Sequence, residues 1–337
     1  MEARPAGVSG RAPWVRPALG AAIGLGFAFL LARRVEWTEV GRLLTGAEAG
    51  PLVLALAALA TGLSLRVVRW WWMLRAFDPG LRPASCARPF LVSLALNNTM
   101  PLRAGDVARV VGFGRSLRAP AARVLGTLMV ERLLDLLVLL LVFFLALLGA
   151  ARIFPRGFLV AAAAAGAVAA VTLLVLVLAP GLVLHAAEWM VSLARRRRGW
   201  GERLAPMVHQ LAESLAVLGS PRRSVALLGF SLLAWIAEGV VFAGAAASLG
   251  VAFPWPAAWL SLGAATLSTL LPGAPGYVGT FDWFATLGFV AYGTDRSAAA
   301  AAALLVHLIL WLPVTVTGLA LLCLRGRETR SLEVGSA

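Results

Sequence analysis

Long runs of apolar residues recur along this chain and restrict its fold more than any other feature. Of the 337 residues, 60% are hydrophobic and only 14% are charged, whereas a soluble domain has about a quarter charged residues. Six of the runs are long enough to cross a bilayer, for which about 20 residues suffice. They lie at residues 16–32, 51–74, 124–150, 157–179, 224–249 and 297–323. The sequence therefore predicts an all-α polytopic membrane protein with about six full transmembrane helices.

Two further apolar segments are too short or too interrupted to cross the membrane alone. Residues 89–100 are followed by the polar stretch 101–118, and residues 255–271 by a turn rich in Pro and Gly and then by residues 280–293. With the N-terminus inside, this layout puts 21 of the 30 basic residues, all of them arginine, on the cytoplasmic side. Basic residues concentrate on that side. We therefore expect the first segment to enter from the cytoplasm and return, and the second to do so from outside.

These two segments also share a sequence pattern. In "LNNTMPLRAGD" (96–106) and "LSTLLPGAPGY" (267–277), Pro follows Leu by five residues and Gly follows Pro by four. The paired residues are Pro101 with Pro272 and Gly105 with Gly276. Matching segments that enter from opposite faces are typical of an inverted repeat with a pseudo-two-fold axis in the membrane plane. We predict one transmembrane domain, residues 1–323, with halves at 16–150 and 157–323 and a re-entrant helical hairpin in each.

A helix broken inside the bilayer is suited to binding an anion. Pro interrupts helices and Gly permits unusual turns, and irregular backbone at this depth is tolerated where it is buried in protein or lines a wet cavity. Helices that restart after Pro101 and Pro272 would direct their positively polarised N-termini toward the midplane. Asn97 and Asn98 can add side-chain donors and acceptors there. The alternative is that both segments are proline kinks with ordinary packing; their matched spacing favours the anion site.

Ionisable residues inside the spans are costly and often functional. Glu131 and Asp135 are four apart in the third span and share a helix face, while Arg132 and Asp135 are three apart and can pair. The alternative to a headgroup site at these residues is a structural ion pair that locks two helices. Glu238 and His307, in later spans, are candidates for coupling transport to an energy source, and the sequence leaves open whether a proton gradient is involved.

Two arginines near the inner end of the second span leave their role open. Arg66 and Arg69 lie beside a cluster of tryptophans. Interfacial Trp and snorkelling Arg explain such a pattern as well as a functional role does.

Other features argue against several classes of protein. The two cysteines and three histidines are scattered, which predicts neither a disulfide framework nor a metal or other cofactor. The net charge of +14 is explained in a membrane protein by orientation and anionic lipid, so no nucleic-acid partner is expected. Nucleotide-binding and catalytic motifs are missing, so we do not expect an enzyme. Residues 181–223 are predicted to form an amphipathic cytoplasmic connection, and 324–337 a cytoplasmic tail.

Three segments together resemble the flippase-like transmembrane region of lysylphosphatidylglycerol synthases. They are "NNTMPLRAGDVAR" (97–109), "ERLLD" (131–135) and "LPGAPGYVGTFD" (271–282). The resemblance implies movement of modified phospholipids or other lipid-linked molecules between the leaflets of a bacterial-type inner membrane. The longest polar stretch, 180–223, is too short to be the synthases' soluble aminoacyl-transferring domain, so synthase activity is not implied.

The resemblance also implicates residues by position. Asp106 and Asp282 stand where the family usually has Glu, and Tyr277 stands where it has Gly, which leaves the substrate open. The matching residues are Asn97, Pro101, Arg103, Gly105, Asp106 and Arg109 in the first motif, Glu131, Arg132 and Asp135 in the second, and Pro272, Gly276, Gly279 and Asp282 in the third.

We therefore predict flippase-like transport of an anionic phospholipid or lipid-linked molecule through a midplane cavity. Arg103, Arg109 and Arg132 would offset the cost of desolvating the phosphate while the tail stays in lipid. The alternatives are a secondary transporter of a small soluble anion and a membrane partner of a lipid-modifying enzyme; homo-oligomers also remain open. A lateral opening between helices would favour a lipid, and a closed vestibule would favour the soluble anion.

Overall fold

The computed structural model describes residues 15–100, 103–150, 154–179 and 221–334, together with residues 181, 182, 185, 186, 189 and 192. Pro101 and nearly all of the predicted amphipathic connection 181–223 lie outside the described residues. Every regular element in the described ranges is helical. The predicted all-α class is therefore confirmed for the described part of the chain.

The described residues form long helices interspersed with groups of shorter ones. A 3-10 turn at Pro275–Tyr277 lies between the tenth and eleventh helices. In chain order the helices are α1 Val15–Ala32, α2 Trp37–Thr45, α3 Ala49–Leu74, α4 Pro83–Thr99, α5 Ala104–Gly112, α6 Gly114–Leu117, α7 Ala121–Gly149, α8 Arg156–Leu178, α9 Pro221–Ser248, α10 Trp255–Ser268, α11 Thr280–Val290 and α12 Arg296–Val334.

Five described helices, α3, α7, α8, α9 and α12, are long and apolar enough to cross a membrane. The remaining predicted span, 16–32, coincides with α1, which meets the same criterion only together with α2, to which it is bent by 90°. Large apolar side chains such as Leu25, Val160 and Val168 remain exposed on these helices, as expected where the solvent is lipid. The chain is a polytopic membrane protein.

The two interrupted segments form pairs of short helices. Helices α4 and α5 have 17 and 9 residues, and α10 and α11 have 14 and 11. Helix α4 begins at Pro83, earlier than the predicted start at residue 89, because proline is well suited to the first helical turn. A Cβ on Gly105 would lie 1.8 Å from Ser93 O, so glycine permits α5 to fold back tightly onto α4.

Each short pair packs against a long helix from the other half of the chain. Helix α4 packs on α12, and α10 packs on α7. Helix α3 packs extensively against α9. Small residues allow these approaches: a Cβ on Gly318 of α12 would lie 2.4 Å from Leu91 O of α4. This packing brings the polar residues of both segments into one helical body.

Candidate functional site

Helix α7 carries the acid and base residues that organise the polar interior. Arg109 of α5 donates from Nη2 to Glu131 Oε2 at 2.7 Å and from Nη1 to Glu131 Oε1 at 3.3 Å. Its guanidinium lies 3.8 Å from the ring centre of Trp70 and 4.8 Å from that of Phe90. Both members of the pair are buried. Arg109 is thus held by a carboxylate and by aromatic faces on two other helices.

A second pair joins α7 to α3. Arg69 donates to the two carboxylate oxygens of Asp135 at 2.6 and 2.9 Å and to Ser231 Oγ of α9 at 2.7 Å. Arg69 is fully buried, so it does not snorkel to the interface. The predicted pairing of Arg132 with Asp135 is not found: Asp135 is bonded instead by Arg69 of a neighbouring helix.

A third pair, between Arg66 of α3 and Glu238 of α9, ties together the two helices that pack along each other. The Arg66 guanidinium also lies 5.1 Å from the ring centre of Trp235. Glu238, predicted as a coupling residue, therefore lies in an ion pair close to the interior.

The fourth pair is more exposed than the first two. Arg132 donates from Nη2 to Asp106 of α5 at 3.0 and 3.2 Å. Asn97 fixes that carboxylate, because its Nδ2 donates to Asp106 Oδ1 at 2.9 Å while the backbone N–H of Asp106 donates back at 3.2 Å. The Arg132 side chain is 41% exposed, and both of its hydrogen bonds come from Nη2, so Nη1 is left to donate to a ligand. Arg103, exposed and left-handed at φ 53°, caps the start of α5 three residues before Asp106.

We call these four pairs the polar network. The network contains four arginines and four carboxylates, so its members balance in charge. Arg69 and Arg109 are buried within it, whereas Arg132 is the most exposed of its arginines. A ligand that reaches the network would therefore meet Arg132 with donor capacity to spare.

A separate pair, here called the histidine pair, lies in the second half. His307 Nδ1 of α12 is 2.7 Å from Asp282 Oδ1, and its Nε2 is 2.9 Å from Gly276 O. The backbone N–H of Gly279 donates to Asp282 Oδ2 at 2.9 Å. Gly276 and Gly279 have φ of 68° and 85°, conformations that favour glycine. The turn before α11 is thereby tied to the last long helix.

The two pairs that involve short helices occupy matching positions in their halves. Asp106 and Asp282 are each the third residue of the second short helix. Arg132 and His307 are each the twelfth residue of the long helix that follows, α7 or α12. One half thus holds its acid with a permanent cation, and the other holds it with a titratable base.

The two helix breaks also approach each other. Asn98, in the last turn of α4, donates from Nδ2 to Thr315 Oγ1 at 2.9 Å. Its backbone carbonyl accepts a hydrogen bond from Trp311 Nε1 at 3.4 Å. A Cβ on Gly276 would lie 3.4 Å from that same carbonyl. Pro272 is exposed in the turn that leads to Gly276.

An open apolar groove of about 490 Å³ lies between α3, α4 and α12. It runs past the stretch of α3 that also carries Arg66 and Arg69. Its apolar walls include Leu59, Leu63, Val67, Ala87, Leu91 and Val314.

Sequence reasoning left the role of Arg66 and Arg69 open and missed other members of this arrangement. Arg66 and Arg69, three residues apart, share a helix face, and that spacing was the available signal for both. No sequence pattern pointed to a role for Ser231 or Trp70. Within the described residues, no three His, Cys, Asp or Glu side chains come together as metal ligands would.

Comparison with known proteins places most of the chain in one family. The family described as Lysylphosphatidylglycerol synthase TM region matches residues 18–318. That range contains both short helix pairs, the polar network and the histidine pair. No curated protein gives a significant match.

Proposed function

Because the chain belongs to the family of the lysylphosphatidylglycerol synthase TM region, we propose that it moves an anionic phospholipid or lipid-linked molecule between membrane leaflets. The observation that carries this proposal is the exposure and hydrogen bonding of Arg132. It is the most exposed arginine of the polar network, both of its hydrogen bonds come from Nη2 and leave Nη1 for a ligand, and it lies against the first turn of α5. A phosphate there would receive charge-assisted hydrogen bonds from a guanidinium and the positive end of a helix dipole.

The apolar groove favours a lipid over a small soluble anion. A soluble anion needs only polar walls, whereas a lipid needs apolar surface for its tail beside the headgroup site. The groove between α3, α4 and α12 is open and apolar, and Asn98 and Thr315 on two of its helices form a polar contact beyond it. A headgroup at Arg132 with the tail held against membrane-spanning helices is consistent with this arrangement.

We further propose that the two short helix pairs are re-entrant hairpins of an inverted repeat. Three facts support this: each pair packs on the last long helix of the other half, α3 and α9 pack together, and Asp106 and Asp282 occupy matching positions. Opposite entry of the two hairpins would keep most arginines on the cytoplasmic side. Both termini would then be cytoplasmic, in a bacterial-type inner membrane.

In the proposed cycle the headgroup binds at Arg132 and Arg103, near the start of α5. Arg109 and Arg69 do not contact the lipid; they hold α5, α3 and α7 in register through Glu131 and Asp135. Rocking of one half against the other about the α3–α9 contact would expose the site to each leaflet in turn.

Purified protein in sealed vesicles would test this function. Vesicles carry a trace of tail-labelled fluorescent phosphatidylglycerol or phosphatidylcholine, and an impermeant reductant then bleaches the outer leaflet. We expect the protein to expose inner-leaflet phosphatidylglycerol to bleaching faster than phosphatidylcholine, because Arg132 and α5 favour net negative headgroups.

Vesicles without protein provide the control for spontaneous exchange. Exchange no faster than in those vesicles would overturn the proposal. Protein-dependent uptake of phosphate into the same vesicles, without lipid exchange, would favour a transporter of soluble anions instead.

A further inference from the structure

The hydrogen-bond geometry of the histidine pair requires one additional proton. Both ring nitrogens of His307 face oxygens that act as acceptors: Asp282 Oδ1 at 2.7 Å and Gly276 O at 2.9 Å. A neutral imidazole has one donor nitrogen and one acceptor nitrogen, so it can satisfy only one of these contacts if Asp282 is ionised. Both contacts form together only when the pair carries one additional proton.

The surroundings favour placing that proton on the ring. Asp282 lies in the first turn of α11, where the helix dipole favours negative charge, and its Oδ2 already accepts the N–H of Gly279. The carboxylate is therefore held as an acceptor on both oxygens. An imidazolium that donates from Nδ1 and Nε2 satisfies every polar atom of the pair.

We propose that Asp282, His307 and the carbonyl of Gly276 form a proton-binding site, and that proton release frees the turn before α11 from α12. When one ring N–H gives its proton to water, that nitrogen's lone pair faces an oxygen lone pair, and one of the two contacts is lost. Loss of the Gly276 contact frees a turn already strained by the positive φ of Tyr277.

Most other ionisable groups on the packed helices make contacts of their own. Helices α10 and α11 contribute none except Asp282, and α1 contributes none over residues 18–32. Apart from His307, the ionisable side chain of α12 over residues 297–324 is Cys323, and the turn before α11 contributes Tyr277. On the other helices packed against α11 and α12, these groups are Glu39 and Arg42 of α2, Arg66 and Arg69 of α3, Cys86 and Arg88 of α4, and Arg222, Arg223 and Glu238 of α9.

Arg66, Arg69 and Glu238 form ion pairs within the polar network, and Glu39 pairs with Arg42. Arg88 donates to Leu321 O, and Arg223 donates to Trp72 O. In the described residues, none of these hydrogen bonds or ion pairs reaches His307. Asp282 is therefore the ionisable side chain that contacts His307 in the described residues.

This proposal deepens the proposed function. Only the link between the proton site and lipid movement rests on that function; the proton site itself does not. Asp106 is held by a permanent cation in the first half, whereas Asp282 is held by a base that can lose its proton. The proton site lies beside Asn98 at the meeting of the two breaks. A proton that leaves toward one membrane face would loosen the second break while the lipid site of the first stays charged.

A chain with one histidine makes this site directly observable. The chain contains three histidines, so His185→Gln with His209→Gln leaves His307 alone. In this background, nitrogen-15 NMR of labelled histidine in lipid nanodiscs reports how many ring nitrogens carry protons. We expect two protonated ring nitrogens while the pair holds its additional proton, and one once the pH has been raised until that proton leaves.

A spin label on the turn tests the coupling between proton and structure. With Cys323→Ser removing the exposed cysteine, Val278→Cys places a label on an exposed position of the turn. We expect label mobility to rise as the ring loses its proton, and Asp282→Asn to change both responses together. A label at Val316→Cys, exposed on α12 away from the turn, should not respond.

A ring with a single protonated nitrogen at every pH would overturn the proton site. Mobility at position 278 that does not follow the ring titration would overturn the coupling. Neither measurement requires lipid exchange, so failure of the proposed function would leave both results unchanged.

Discussion

Replacing Asp135 with alanine is expected to lower the free energy of unfolding by about 3–5 kcal/mol. Arg69 is fully buried, and Asp135 accepts two of its hydrogen bonds. Without the carboxylate, a charged guanidinium remains in an apolar interior with Ser231 as its polar partner, and that uncompensated charge is the source of the loss. Unfolding of the purified protein in mixed micelles, followed by circular dichroism, would measure it.

Two further variants separate this effect from ordinary loss of a salt bridge. The double variant Arg69→Met, Asp135→Leu should recover most of the stability, because a buried ion pair can be replaced by apolar side chains at little cost. Glu39→Ala breaks the exposed Arg42–Glu39 pair and should leave the stability nearly unchanged. If Asp135→Ala were as mild as Glu39→Ala, or the double variant no better than the single one, Asp135 would not have this structural role.

Replacing Arg132 with alanine is expected to slow lipid exchange by roughly tenfold to a hundredfold while leaving the fold intact. Removal of a hydrogen bond to a charged group costs about 1.5–3 kcal/mol, and each 1.4 kcal/mol corresponds to about tenfold. The pair with Asp106 is partly exposed, and Asp106 keeps its bonds to Asn97. Stability should therefore change by about 1 kcal/mol or less. The vesicle bleaching assay gives the rate, and micelle unfolding gives the stability.

Arg156→Ala is the matched control, since it removes an exposed arginine at the start of α8. It should leave both quantities near those of the parent protein. Arg132→Lys should fall between, because lysine keeps the charge but loses the planar donor geometry. Unchanged exchange in Arg132→Ala would remove this residue from the transport site.

The sequence predicted the long helices well because each is one continuous apolar run. The runs at 51–74 and 224–249 became α3 and α9 with small changes at their ends. The positions of the two breaks were also predicted, since Pro and Gly act on the local backbone.

The pairing of the charged residues could not be predicted in the same way. Helical spacing shows which residues share a face, but not which helix lies opposite. Arg132 and Asp135 were expected to pair from their spacing, yet each found its partner on a different helix. Arg109 was expected at the headgroup, and its place against Trp70 and Phe90 depends on helices distant in sequence.

The match between the halves was also only partly visible in the sequence. Residues 100–103 separate α4 from α5, whereas the longer stretch 269–279 separates α10 from α11. Residue spacing therefore paired Gly105 with Gly276 and could not align Asp106 with Asp282. The structure supplies that alignment, because Asp106 and Asp282 are each the third residue from the start of their helix.

The proposed transport site depends on the two short helix pairs entering the membrane from opposite faces. Single cysteines in the Cys323→Ser background test this directly: Gly80→Cys and Ser116→Cys flank the first pair, and Ala252→Cys and Arg296→Cys flank the second. An impermeant maleimide is applied to intact cells and, separately, to permeabilised ones.

We expect positions 252 and 296 to be labelled in intact cells, and positions 80 and 116 only after permeabilisation. Labelling of just one of positions 80 and 116 from outside would mean that the first pair crosses the membrane, and labelling of all four from one side would remove the inverted arrangement; either result would contradict the proposed site.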